Sequence, residues 1–205
     1  MCARAATCLA LTLLLWAVNP CDADEDTEAL YRRGTQLIKP YLILADAPTA
    51  DPTTPKGKSD LLEGIDLLTK VVSAHPDNWA AQWVIGKAQQ ALKNHRAAYE
   101  SFKRAYATKS DHPDIGRELV IEAICVGETK EAVATAQQLS RTHPDNAGLT
   151  ANAGLALLAN GNLKEAKETT ELAFKMAPND PVTKNLLGEI VAVQAGRGHS
   201  SYCPP

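Results

Sequence analysis

Apolar and small residues recur along this chain at helical spacing, in blocks that stop and restart at regular intervals. From Ala80 to Leu92 they follow one helical face, a polar break comes at Lys93 and Asn94, and Arg96 to Tyr106 takes the pattern up again before a polar stop. Two helices joined by a tight turn are predicted. The same unit returns at a step of 34 residues. Gly86, Val120, Gly154 and Gly188 share one phase, and Gly64, Ala98, Ala132 and Ala166 a second. Leu68, Phe102, Ala136 and Thr170 form a third, and Val71, Ala105, Leu139 and Ala173 a fourth. Pro76, Pro144 and Pro178 keep a fifth, with Ser110 in the slot between them. Phases that advance together in this way mark a repeat array.

The punctuation agrees with the period. The tetrapeptide HPDN stands at His75 to Asn78 and again at His143 to Asn146, two steps apart. Proline cannot continue the preceding helix, and Asp or Asn can cap the next, so this motif is predicted to join one unit to another. Gly127 and Gly161 hold matching places inside their units, where glycine supplies the left-handed backbone that ends a helix. The first unit is irregular. Thr27 to Leu42 predicts its first helix, with Gly34 in the glycine phase, but the second is predicted to begin near Ser59. About 18 extra residues intervene, and their Pro, Thr and Asp content at about 44–58 predicts an exposed loop, either a tolerated insertion or a partner contact. Pro181 to Gln194 predicts one further, unpaired helix.

The first 23 residues read differently. Ala5 to Val18 is almost unbroken in its apolar character, and Asn19 and Pro20 interrupt it. Such a run has the form of a signal peptide and falls short of the roughly 20 residues needed to cross a bilayer. Small residues at Cys21 and Ala23 place a cleavage point before Asp24. The protein is therefore expected to be exported, periplasmic or secreted, and to meet a membrane only through an uncleaved signal or a lipid on Cys21. Export changes the reading of the cysteines, because thiols pair in oxidising compartments. Cys125 and Cys203 remain after cleavage. The extended tail after Gly196 is long enough for Cys203 to reach Cys125; the alternative is a packed thiol at Cys125 and a loose tail.

At 45% hydrophobic, the 205 residues can bury a real core, and a net charge of −3 with 21 basic residues spread among 24 acidic ones argues against nucleic acid as a partner. The five histidines are scattered, and three of them sit in the joints. No His-x3-His, Cys-x2-Cys, Gly-x-Ser-x-Gly or glycine-rich phosphate loop occurs. The sequence therefore predicts no enzyme, no cofactor, no metal and no small-molecule substrate.

A 34-residue helix-turn-helix unit with Ile85-Gly86, Ala98-x3-Phe102, Ala132, Gly154, Ala166, Ala173, Pro144 and Pro178 at these places resembles the tetratricopeptide repeat. Gln82 stands where that pattern has tryptophan, Val120 replaces a glycine, and Thr170 replaces an aromatic. The resemblance implies an all-α fold: a right-handed superhelical α-α solenoid of about four helix pairs plus a C-terminal capping helix. The units would be 24–75, 76–110, 111–144 and 145–178, then the cap at 179–195 and a tail at 196–205.

Such repeats imply a concave groove lined by the first helix of each pair, which holds a peptide or helix of another protein. By register the groove residues are Tyr31, Trp83, Lys87, Gln90, Arg117, Ile121, Ile124, Leu155, Leu158 and Asn185, on one face of successive first helices. Their apolar middle implies a hydrophobic ligand, with Tyr31 and Trp83 as anchors and Lys87 and Arg117 for a carboxylate or backbone carbonyls. Packing between helices is the other use open to Trp83, Ile121, Ile124, Leu155 and Leu158. The places where some members clamp a terminal carboxylate hold Tyr31, Thr35, Val84, Asp114 and Glu118, so that clamp is not matched. The expectation is a non-catalytic adaptor for an exported partner, assisting the assembly of envelope complexes. Structural self-association is the alternative.

Overall fold

The computed structural model describes residues 20–42, 50–198 and 203. The run up to Asn19, where the sequence predicts a signal peptide, and the first part of the inserted loop lie outside the described residues. Within them there are nine α-helices and no strand. The helices are α1 (Pro20–Ile38), α2 (Pro55–Ala74), α3 (Trp79–Ala91), α4 (His95–Thr108), α5 (Pro113–Cys125), α6 (Thr129–Thr142), α7 (Ala147–Ala159), α8 (Leu163–Met176) and α9 (Pro181–Gln194), and a 3-10 turn at Lys39–Tyr41 extends α1. Each odd-numbered helix packs on the even-numbered one that follows, and α9 covers the end of the stack against α7 and α8. No described helix is long and apolar enough to cross a membrane.

The joints have a local cause. The Asn78 side chain accepts a hydrogen bond from the Ala81 amide at 2.9 Å, and Asn146 accepts one from Leu149 at 3.1 Å. The last residue of each HPDN is thus the N-cap, and it satisfies an amide that the first helical turn leaves unpaired. Asp180 does the same for α9, accepting from the amides of Val182 and Thr183. Gly127 and Gly161 have φ of 84° and 83°, and Lys93 holds the same turn position one repeat earlier at φ 58°.

The second helix of the first unit starts earlier than its sequence pattern predicts, at Pro55 and not near Ser59. Thr54 caps it by accepting from the Gly57 amide at 3.0 Å, and proline is tolerated at the first helical position because its missing N–H has no partner there. The last residues of the predicted loop are therefore helical.

Within each pair, two facing positions set how closely the helices approach. A Cβ on Gly34 would meet Leu68, one on Gly86 would meet the Phe102 ring at 2.6 Å, and one on Gly154 would overlap the Thr170 hydroxyl. A small residue on the first helix therefore faces a larger one on the second. In the third pair these two repeat positions hold Val120 and Ala136, both fully buried, so the sizes are exchanged and the volume is shared. The departures at Val120 and Thr170 are accommodated in this way.

Adding a methyl at Gly154 is expected to destabilise the fold by roughly 1–3 kcal/mol through overpacking. Thr170 Oγ1 is buried without a hydrogen-bond partner, so Thr170→Ala should be tolerated and should recover part of the loss in the double variant. Chemical denaturation of both single variants and the double variant measures this; strictly additive effects would show that the two positions do not meet.

Candidate functional site: a cleft between the second and third helix pairs

The first helices of successive pairs lie against one another at α1 and α3, α5 and α7, and α7 and α9, whereas α3 and α5 stand further apart. A cleft of about 540 Å³ opens there. Its walls are the C-terminal half of α3 and the α5 face that carries Arg117, Glu118, Ile121, Glu122 and Cys125, and Tyr41, Leu42 and Pro52 from the turn after α1 and the inserted segment close one side. Tyr41 is fixed by donating its hydroxyl to Asp60 at 2.7 Å, which raises the phenol above its ordinary value. Bonds from Lys56 and Tyr41 in turn hold the Asp60 carboxyl below the usual carboxylate range.

Polar side chains bridge the gap between the two helices. Gln90 on α3 donates to Glu118 at 3.0 Å and to Glu122 at 2.9 Å, both on α5. Lys87 donates to Gln90 at 2.6 Å and pairs with Glu118 at 3.2 Å. His95, at the start of α4, meets the other Glu122 oxygen at 2.9 Å. The Glu122 side chain is 1% exposed, so each carboxylate oxygen has one protein partner in place of water, which offsets the cost of burying it. Arg117 lies at the rim, half exposed, 3.5 Å from Asp114 and 3.6 Å from Glu118.

The described hydrophobic core divides nearby. One cluster gathers Ile38, Leu61, Leu68, Val71 and the buried face of α3; the other runs from Ala98 and Phe102 to Ile190. Trp83 packs against both.

Of the ten groove residues predicted from sequence, Lys87, Gln90, Arg117 and Ile121 line the cleft. The remaining six do not. Ile124, Leu155 and Leu158 are 8%, 9% and 0% exposed and belong to the core, because α5 and α7 are covered on more than one side by their neighbours. Tyr31 and Trp83 are half-buried against the core clusters and not free anchors, and Asn185 is exposed on α9, apart from the cleft lining. With those apolar members withdrawn, the cleft is amphipathic, and Lys87 is already neutralised by Glu118. Sequence reasoning missed Tyr41, Glu118, Glu122 and His95. A glutamate at position 122, between Ile121 and Ala123 on a buried helix, was the available signal.

The tail reaches the same place. Cys203 forms a disulfide with Cys125, the last residue of α5 and part of the cleft wall, across 78 residues of sequence.

The tetratricopeptide repeat pattern matches residues 57–113 and 126–190, together more than half of the chain. The chain belongs to the tetratricopeptide repeat family. Among solved structures it is similar to MamA from Desulfovibrio magneticus, with 13% identity and a TM-score of 0.65 over 84% of this chain and 87% of that one. Another crystal structure of MamA protein gives 18% identity and a TM-score of 0.66 over 85% of each chain. These likenesses are of fold. Among curated proteins it is similar to aspartyl/asparaginyl beta-hydroxylase of Mus musculus, 22% identical over 186 residues, which are 84% of this chain and 25% of that protein. The chain thus spans about a quarter of the length of that relative. Membership in the family makes this all-α solenoid a protein-protein interaction scaffold and points to a non-catalytic role.

Reducing the Cys125–Cys203 bond in metal-free buffer is expected to lower stability by about 2 kcal/mol. The bond closes a 78-residue loop in the unfolded chain but only the short tail beyond α9 in the folded one, and loop-closure entropy grows with the logarithm of that ratio. Urea unfolding with and without reductant reads the difference; coincident curves would count against the bond.

Proposed function

We propose that this protein is an exported, non-catalytic adaptor that holds an extended peptide segment of an exported partner in the cleft between α3 and α5, and so assists the assembly of envelope complexes. The observation that carries this reading is the cleft itself, where two first helices that could have packed together are held apart by polar side chains. An opening of about 540 Å³ takes a few side chains of an extended strand. Tyr41, Leu42, Pro52 and Ile121 offer apolar contact, while Arg117 and Glu118 at the polar edge suit backbone or side-chain hydrogen bonds. The ligand this favours is of mixed character, more polar than the hydrophobic segment, anchored at Tyr31 and Trp83, that the sequence suggests. Export is supported by the apolar run at Ala5 to Val18 and by the disulfide, a bond favoured in oxidising compartments.

Affinity capture from an envelope extract tests the adaptor role. The double variant Arg117→Glu, Ile121→Glu changes only residues that are not fully buried and is expected to weaken recovery of the partner by tenfold or more, equivalent to about 1.4 kcal/mol. Asn185→Ala should leave recovery unchanged. Equal recovery by all three baits would remove the cleft assignment, and light scattering that shows a stable dimer at micromolar concentration would favour self-association instead.

A further inference from the structure

The cleft wall also brings together three side chains that bind soft metals. His95, Cys125 and Cys203 place one ligating atom each within 4.8 Å of one another. Cys203 Sγ is 3.7 Å from His95 Nε2 and 3.9 Å from Nδ1, so it stands beside the ring, and a small shift of the tail toward the Nε2 lone pair gives the edge of about 3.6 Å that separates a nitrogen and a sulfur on a tetrahedral Zn²⁺. Behind the imidazole stands Glu122. Its Oε2 meets His95 Nδ1 at 2.9 Å, and its Oε1 is held by Gln90 at 2.9 Å, so the carboxylate is fixed from both sides at 1% exposure. An ionised carboxylate there takes the Nδ1 proton as a hydrogen bond and leaves Nε2 as the lone-pair nitrogen. This is the support that metal-binding histidines commonly have.

We propose that Cys125, Cys203 and His95 form a Zn²⁺ site when the disulfide is reduced, with Glu122 orienting the imidazole. A dithiol reductant supplies two electrons and two protons, is itself oxidised to a disulfide, and leaves two thiols in place of the Cys125–Cys203 bond. Zn²⁺ then displaces both thiol protons and is held by two thiolate sulfurs and one imidazole nitrogen. The sulfurs move apart to about 3.8 Å, the edge of a tetrahedron with zinc-sulfur bonds of about 2.3 Å. His95, Glu122 and Cys125 all line the cleft, so the fourth position is open to water from that side. Two thiolates and an imidazole suit Zn²⁺ and not the hard cations, which take oxygen ligands. Bond and metal are then alternative fastenings of the tail to the cleft wall: the disulfide excludes zinc, because its sulfurs carry no thiolate charge. The ligands are 30 and 78 residues apart, which is why no local motif announces them.

The test is titration of the full chain with Co²⁺, a spectroscopic substitute for Zn²⁺, after reduction and removal of the reductant without oxygen. One equivalent is expected to bind with the intense visible absorption of tetrahedral, thiolate-bound Co²⁺, and Zn²⁺ should abolish that absorption. The disulfide form should show none. Cys203→Ser is the decisive variant, since it lies on the tail outside the core, and it should lose the signal, as should His95→Ala. Glu122→Gln should keep the stoichiometry but weaken affinity about 10- to 100-fold. His143→Ala and a variant with Cys2, Cys8 and Cys21 all replaced by Ser should bind as the unaltered chain does. Failure of the reduced chain to bind, or undiminished binding by Cys203→Ser or His95→Ala, overturns the proposal.

Discussion

Close approach of the two helices in each pair is the constraint on which the rest of this structure depends. Gly34 lies against Leu68, Gly86 against Phe102 and Gly154 against Thr170, and a methyl group at any of the three would collide with its neighbour. Because one of each facing pair is small, the helices can pack near the lower end of the usual 8 to 10 Å separation, and the bulky partner fills the space between them. Phe102 is completely buried, a contribution of roughly 1.5–3 kcal/mol from that ring alone. The pair at Val120 and Ala136 shows that the rule concerns combined volume and not glycine as such.

The array is not uniform: among the described helices, the neighbouring first helices α3 and α5 stand apart, and the cleft lies between them. Between α3 and α5 the apolar contact of neighbouring first helices is replaced by Lys87, Gln90, Glu118, Glu122 and His95. Polar groups of this kind need partners at fixed distances, so they hold the helices at a set spacing without closing the space. Trp83 packs against the two described hydrophobic clusters on either side of the break. The cleft, the inserted residue Pro52 in its wall and the Cys125–Cys203 bond all belong to this region.

A tail fastened beside the cleft gives the two an unavoidable connection. Cys203 is bound to a residue of the cleft wall, and the same wall carries His95 and Glu122. Any change at the sulfurs therefore acts next to the cleft lining, with no long path between them. In the adaptor reading, the compartment's redox state and the occupancy of the cleft act on one set of side chains.

The sequence by itself determined the repeat: its period, the HPDN joints with an Asp or Asn cap, the turn glycines at 127 and 161, and the phases that hold Leu68 and Phe102. Those features rest on local backbone chemistry and on residue size at fixed intervals, which one chain read alone can display. Only the tertiary structure decided which face of each first helix stays open. Ile124, Leu155 and Leu158 occupy groove positions by register but are buried because neighbouring helices cover them, whereas Lys87, Arg117 and Ile121 line the cleft that opens between α3 and α5. Tyr41 enters the site from the turn after α1 and Pro52 from the insertion that breaks the period, and His95, Glu122 and Cys203 meet across long separations. Periodicity specifies what repeats; a site made of exceptions to the repeat takes form only when the chain has packed.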